Sequence, residues 1–301
     1  MKVIHGLHKI KKLKKPVVAL GVFDGVHCGH INILKDAARF AHSVNGTSVV
    51  LTFDPHPQKE DSLTSLAHRL RLIAQQGIDA VAVVNFNTHF KNMRAVDFVR
   101  GVLAKKLGAY AVYVGDNFRF GKNAEGNVET LKVFSREYHF KIKVFKCVRV
   151  NRHPISSTSI RSLIKQGKLE LAGKLLCRPV TVLGSVIRGT KVGRRLGFPT
   201  ANIDPHHEVM PPQGAYAVRV IMGKKKLLGV CNIGRRPTFY KQGVIHIEVY
   251  IFNFNRNIYG KYLEIQFVKK IRNEKKFPSA ALLIDQIRKD ITFAKNFFSP
   301  H

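Results

Sequence analysis

The segment Gly21-Val22-Phe23-Asp24-Gly25-Val26-His27-Cys28-Gly29-His30 sets two histidines among closely spaced glycines. It follows an apolar run at 17–20 and precedes the amphipathic segment 31–43, where Ile31, Leu34, Ala38 and Ala41 recur at helical spacing. That order predicts strand, tight turn and helix, with the histidines at the helix N-terminus. The free N–H groups of such an end favour anions, phosphates above all. Paired histidines can donate to phosphate oxygens and stabilise charge developing on a group in transfer. Gly25 and Gly29 let backbone and phosphate approach closely. Two other readings stay open. The turn is Gly-rich with incidental histidines, or His27, Cys28 and His30 hold zinc, for which no fourth ligand is evident.

Other clusters could serve the same chemistry. Residues 52–57, TFDPHP, bring a third histidine, His56, to a neighbouring strand end, although the prolines alone make a rigid loop. The loop 115–121, GDNFRFG, offers Asn117, Arg119 and two phenylalanines, which either stack on a flat ring or fill the core. Residues 155–161, ISSTSIR, open a helix with hydroxyls and place Arg161 one turn in. They make either a helix cap or a phosphate clamp. In the second half, 184–203 carries four glycines and three arginines and ends in Pro199-Thr200-Ala201-Asn202. Thr and Asn oxygens are hard ligands suited to Mg²⁺; a Gly-rich hairpin is the plainer reading. Glu248 sits inside an apolar run and is either a general base or an exposed residue of an alternating strand. There is no Gly-Lys-Ser/Thr P-loop, no Gly-x-Gly-x-x-Gly after the first strand and no kinase signature set.

The elements that must position these residues fall into two textures. From 17 to about 148, apolar runs alternate with helical patterns (helices at 66–76, 95–106 and 128–138), which predicts a mainly parallel α/β sheet. Ligands bind such sheets beyond the carboxyl ends of the strands, so the loops at 21–30, 53–57 and 116–123 should converge on one face. Short helices at 157–165 and 169–176 follow. From 178 to 272 the runs are β-rich without a convincing helix, which predicts an antiparallel sheet or barrel, and a last helix capped by Ser279 closes the chain. The expected domains are 1–177 and 178–301.

Composition bounds the rest. The 301 residues are 45% hydrophobic, enough for two cores, and no run is long enough to span a bilayer. Residues 1–5 do not resemble a signal peptide, so a cytoplasmic protein is the expectation. The four cysteines form no Cys-x-x-Cys pair, so neither a zinc cluster nor a disulfide framework is suggested, and reduced thiols are the expectation. The formal net charge of +32 favours polyanions and phosphorylated small molecules without choosing between them.

In this order the motifs resemble those of the bacterial bifunctional riboflavin kinase/FAD synthetases. The resemblance rests on 21–30, 52–57, 115–121 and 155–161 in the first half. In the second it rests on GRRLGFPTANI (193–203), PPQGAYAV (211–218), GVCNIGRRPTF (229–239), IEVYIFNF (247–254) and YGKYLEIQFVKKIRNEKKFPS (259–279). It implies a nucleotidyltransferase-like, Rossmann-like α/β domain for FMN adenylylation. It also implies a six-stranded riboflavin-kinase β-barrel with a terminal helix. The implied reactions are riboflavin plus ATP to FMN, then FMN plus ATP to FAD and pyrophosphate.

Carried over by position, His27, His30 and Glu248 are catalytic. Gly21, Phe23, Asp24, Gly25, Gly29, Asn117, Arg119, Ser157, Thr158 and Arg161 bind ATP or FMN in the first domain. Gly189, Gly197, Pro199, Thr200, Asn202, Arg272 and Glu274 bind ATP or flavin in the second, with Thr200 and Asn202 as Mg²⁺ ligands. The implied partners are riboflavin, FMN and ATP. Specific nucleic-acid binding and a membrane are not expected, and a homo-oligomer is left open. Arg188, Lys168 and Cys177 depart from the family pattern, and the loop 240–244 is short.

Overall fold

The apolar runs of the first half form a six-stranded, all-parallel sheet, β1 (Lys2–His5), β2 (Pro16–Leu20), β3 (Thr47–Asp54), β4 (Ala80–Asn85), β5 (Ala111–Gly115) and β6 (Lys141–Phe145), in the order β1-β4-β3-β2-β5-β6. The computed structural model describes residues 1–55, 61–150, 153–235 and 245–299. Two units are distinguished: Met1–Ser62 with Leu66–Ser157, and Leu63–Ser65 with Thr158–His301. His56 and the loop 240–244 lie outside the described residues.

In the first unit β2 is buried along its whole length, as expected of a central parallel strand covered on both faces. Helix α1 (Cys28–Ser43) covers one face by setting Leu34, Ala38 and Ala41 against Val17, Ala19 and Val50. Ile73 of α2 (Leu66–Ala74) joins that cluster. One-turn helices α3 (Thr88–Lys91) and α4 (Ala95–Asp97) follow β4. The other face is covered by Phe98, Val99, Val102 and Leu103 and by Leu131 of α5 (Val128–Glu137). Residues 95–106 are helical as expected, but from Phe98 to Leu107 the winding is π-type. Apolar spacing marks a helix without resolving its pitch. The strand order reverses beside β2, whose neighbours are β3 and β5. The turns after β2 and β5 therefore flank the crevice where α/β sheets take ligands. A small hairpin, β7 (Arg149–Val150) and β8 (His153–Pro154), ends this unit.

From Thr158 on, helix α6 (Ser157–Lys165) belongs to the second unit, followed by α7 (Leu169–Leu176). Six antiparallel strands then close a barrel in the order β10-β13-β12-β11-β14-β9. They are β9 (Thr181–Ile187), β10 (Thr200–Asp204), β11 (Gly214–Met222), β12 (Lys225–Arg235), β13 (Ile245–Ile251) and β14 (Tyr262–Asn273). Closure leaves no sheet edge. Among the side chains with almost no exposure are Tyr216, Ile233, Ile247, Leu263 and Ile265. Among the described residues the region read as helix-free holds a helical turn, α8 (Val192–Arg195), and the segment read as a Gly-rich hairpin contributes β10, paired antiparallel with β9. Helix α9 (Ala280–Phe298) is capped by Ser279, whose side chain accepts the N–H of Leu282, and its Ala294 packs on Ala217 and Val230. No helix among the described residues is long and apolar enough to cross a membrane.

Candidate active sites

In the first unit the turn after β2 is held open by left-handed backbone at Phe23, Gly25 and Val26. Phe23 anchors it in the core at 1% exposure, and Asp24 is buried with it. Thr52 Oγ1 donates to the carbonyl of Val22 at 2.8 Å. His27 is the N-cap of α1: its Nδ1 accepts the backbone N–H of His30 at 3.3 Å. An Nδ1 that accepts leaves the proton of a neutral imidazole on Nε2. The His30 ring stacks on it, with centroids 3.6 Å apart and planes at 17°, and meets the edge of Phe23 at 5.1 Å. Two imidazoles are thus fixed at the start of a sixteen-residue helix. Ser157 comes to the same turn, where its Oγ donates to the carbonyl of Asp24 at 2.9 Å.

The other sequence-predicted residues divide. Asn117 and Arg119 are exposed in the loop after β5, whereas Phe118 and Phe120 pack into the core, so these aromatics serve the fold. Thr158 and Arg161 stand in the second unit by the division above; Arg161 is buried there. Cys28 and Cys177, expected as reduced thiols, are disulfide-bonded, so the Cys28 sulfur is not a thiolate that could join His27 and His30 on zinc.

Sequence reading missed Arg69. This buried guanidinium donates Nη1 to the Val22 carbonyl and Nη2 to the Phe53 carbonyl, both at 3.0 Å, and so ties the turn after β2 to the end of β3. Burial lowers its pKa, and the charges of Asp24 and Asp54 oppose that shift. An arginine within a helical pattern carries no sequence signal of this role. Arg69→Met removes both hydrogen bonds from a buried site. We expect a loss of about 2–3 kcal/mol, read as a fall of roughly 5–10 °C in the first unit's thermal transition.

In the barrel unit Asn202 stands directly across the ladder from Glu248, and Thr200 across from Tyr250. Opposed residues of antiparallel strands share a face, as do residues two apart on one strand. Thr200, Asn202 and Glu248 therefore form one polar group. The alternate positions Ile203, Ile247 and Val249 are buried at 3% exposure or less. Gly189 lies on Asn202 so closely that an added Cβ would stand 2.2 Å from its amide nitrogen. Gly197 turns in the left-handed region before Pro199 and Thr200. Burial pushes the Cys231 thiol up, and the nearby Glu248 charge adds to it, so this thiol stays protonated and is no nucleophile. Arg272 makes a two-pronged ion pair with the buried Asp290 on α9, with Nη2 to Oδ2 at 2.9 Å and Nε to both oxygens at 3.0–3.1 Å. Its charge also partly offsets the burial that raises the Glu274 carboxyl, which Glu248 raises further.

Comparison with known proteins identifies the family of each half of the chain. A family described as FAD synthetase matches residues 9–159, and one described as riboflavin kinase matches 176–298. The bifunctional riboflavin kinase/FMN adenylyltransferase of Buchnera aphidicola subsp. Schizaphis graminum is 37% identical over 99% of both chains. The chain belongs to the bifunctional riboflavin kinase/FMN adenylyltransferase family. The protein of that name from Escherichia coli K12 is 36% identical, covering 99% of this chain and 98% of its own. That from Bacillus subtilis is also 36% identical, with 99% of each chain covered. A crystal structure named as a macrolide-efflux protein from Streptococcus pneumoniae superposes with a TM-score of 0.84 at 29% identity, over 98% of this chain and 99% of that one. In the riboflavin kinase/FMN adenylyltransferase family, the histidine turn thus falls in the FAD-synthetase match and the Asn202–Glu248 pair in the riboflavin-kinase match.

Proposed function

We propose that two separate centres carry the two reactions of this family, with a functional boundary at 177/178. The chain is a riboflavin kinase and an FMN adenylyltransferase. The observation that carries the assignment of centres is the pairing of each polar cluster with its own family match.

In adenylyl transfer the FMN phosphate attacks the α-phosphorus of ATP and pyrophosphate leaves. The attacking oxygen is already anionic, so no base is needed; the task is positioning and charge stabilisation. His27 through Nε2–H, His30 and the N–H groups at the start of α1 face that task. Gly21, Phe23, Asp24, Gly25 and Gly29 shape the phosphate-binding turn. Asn117, Arg119 and Ser157 supply further ATP and FMN contacts in this unit.

In the kinase reaction Glu248 takes the proton of the riboflavin 5′-hydroxyl as its oxygen attacks the γ-phosphorus of ATP, and ADP leaves. Thr200 Oγ1 and the Asn202 side-chain carbonyl are hard oxygen donors on one strand face, a set that fits Mg²⁺ when phosphate and water supply the remaining ligands. Bound there, Mg²⁺ would neutralise charge on the ATP phosphates. Gly189, Gly197 and Pro199 keep the segment over Asn202 thin and turned. Arg272 pins the end of β14 to α9 and so sets Glu274 at the flavin side.

Incubation of the protein with riboflavin, ATP and Mg²⁺ should yield FMN and then FAD, resolved by chromatography. Absence of both products sinks the reading. Removing divalent ions with a chelator should stop FMN formation and adding Mg²⁺ should restore it; turnover that survives chelation contradicts the metal assignment.

A further inference from the structure

One side chain beside the Glu248 group has an atom left over. Asn232 on β12 stands directly across the ladder from Glu248, which in turn faces Asn202. Amide, carboxylate and amide therefore form one row across three strands. The flanking Cys231 and Ile233 are fully buried and face the other way. Asn232 also hydrogen-bonds the Glu274 carboxylate. The two side chains meet over bare backbone: a Cβ on Gly234 would lie 3.1 Å from Glu274 Oε1 and 3.5 Å from Asn232 Nδ2. A carboxylate only accepts, so this contact uses Nδ2. Asn232 Oδ1 is buried and has no hydrogen-bond partner among the described residues. A buried acceptor left unmet is costly and wants a donor.

We propose that Asn232 is a substrate-contacting residue of the kinase centre, whose Oδ1 accepts a hydrogen bond from a ribityl hydroxyl of riboflavin while Glu274 fixes the orientation of the amide. This rests on the reading of Glu248 as the base for the terminal ribityl hydroxyl. Opposed residues on neighbouring strands lie about 5 Å apart, and the donors nearest a bound 5′-hydroxyl are the other hydroxyls of the same chain. The ATP phosphates are ionised and offer no donor. Glu274 matters because an amide can present either edge; a fixed partner on Nδ2 turns Oδ1 outward.

The test is riboflavin binding, followed by fluorescence quenching, together with kinase kinetics on the full-length Asn232→Ala variant. Lumiflavin, the same ring without the ribityl chain, is the second probe. Loss of one well-made hydrogen bond should raise the riboflavin Kd and KM about tenfold. The KM for ATP, the lumiflavin Kd and FMN adenylylation should stay within twofold. A purely structural role would move the KM for ATP and the lumiflavin Kd together with riboflavin. An unchanged riboflavin Kd, or an equal loss for lumiflavin, overturns the proposal. If the alanine variant does not fold, Asn232→Ser, whose hydroxyl is too short to reach, takes its place with the same expectations. Glu248→Gln separates the two failures. If it still forms FMN, the underlying reading fails. If it does not, and Asn232→Ala binds riboflavin normally, only the present inference fails.

Discussion

Glu248→Gln should lower the rate of FMN formation by about three orders of magnitude while leaving conversion of supplied FMN to FAD at the wild-type rate. The substitution keeps the shape of the side chain and removes its basicity. It leaves the ladder register with Asn202 and Asn232 intact, because that register is made by backbone. A thousandfold loss corresponds to about 4 kcal/mol of barrier, within what a positioned base contributes. The measurement is separate assay of the two half-reactions, one started with riboflavin and one with FMN. Unchanged FMN formation removes Glu248 from the chemistry. Loss of both half-reactions in a folded variant argues against independent centres.

The reverse pattern is expected of His30→Ala. FMN should accumulate normally, and its adenylylation should fall by roughly 10²–10³, the effect of losing a donor aimed at developing charge. The variant also loses the ring stacked 3.6 Å from His27 and the edge contact with Phe23, so the remaining histidine is less well held. The cap of α1 survives, since it uses the backbone N–H of residue 30 and the side chain of His27. A drop in adenylylation therefore reports on the imidazole and not on the helix. Unfolding of the first unit in the same variant, seen by circular dichroism, would contradict that distinction.

Much of this was legible in the chain itself. The change from alternating strand and helix patterns to β-rich runs predicted a parallel sheet followed by an antiparallel sheet or barrel, because period and turn signals are local; closure into a barrel came only from the family resemblance. The histidine turn was legible for the same reason: strand, glycines, histidines and helix are contiguous in sequence. The group around Glu248 was readable only in pieces. Thr200 and Asn202 lie more than forty residues before Glu248, and ladder pairing brings them together. The Gly-rich hairpin read over 184–203 is present, since β10 pairs antiparallel with β9, and Gly189 and Gly193 are also small where backbone and side chains come close. Arg69 and Asn232 gave no signal, since their roles depend on which atoms of other elements they meet. Arg272 was read as a ligand-binding residue, and its guanidinium is engaged by Asp290 on a helix that follows it in sequence.

The central claim, that two centres act independently and pass FMN from one reaction to the next, is tested most directly by mixing variants. Glu248→Gln alone, given riboflavin, ATP and Mg²⁺, should leave riboflavin unchanged. His30→Ala alone should stop at FMN. The two together in one vessel should produce FAD after a lag in which FMN builds up. A mixture of folded variants that makes no FAD, or either variant making FAD from riboflavin alone, contradicts it.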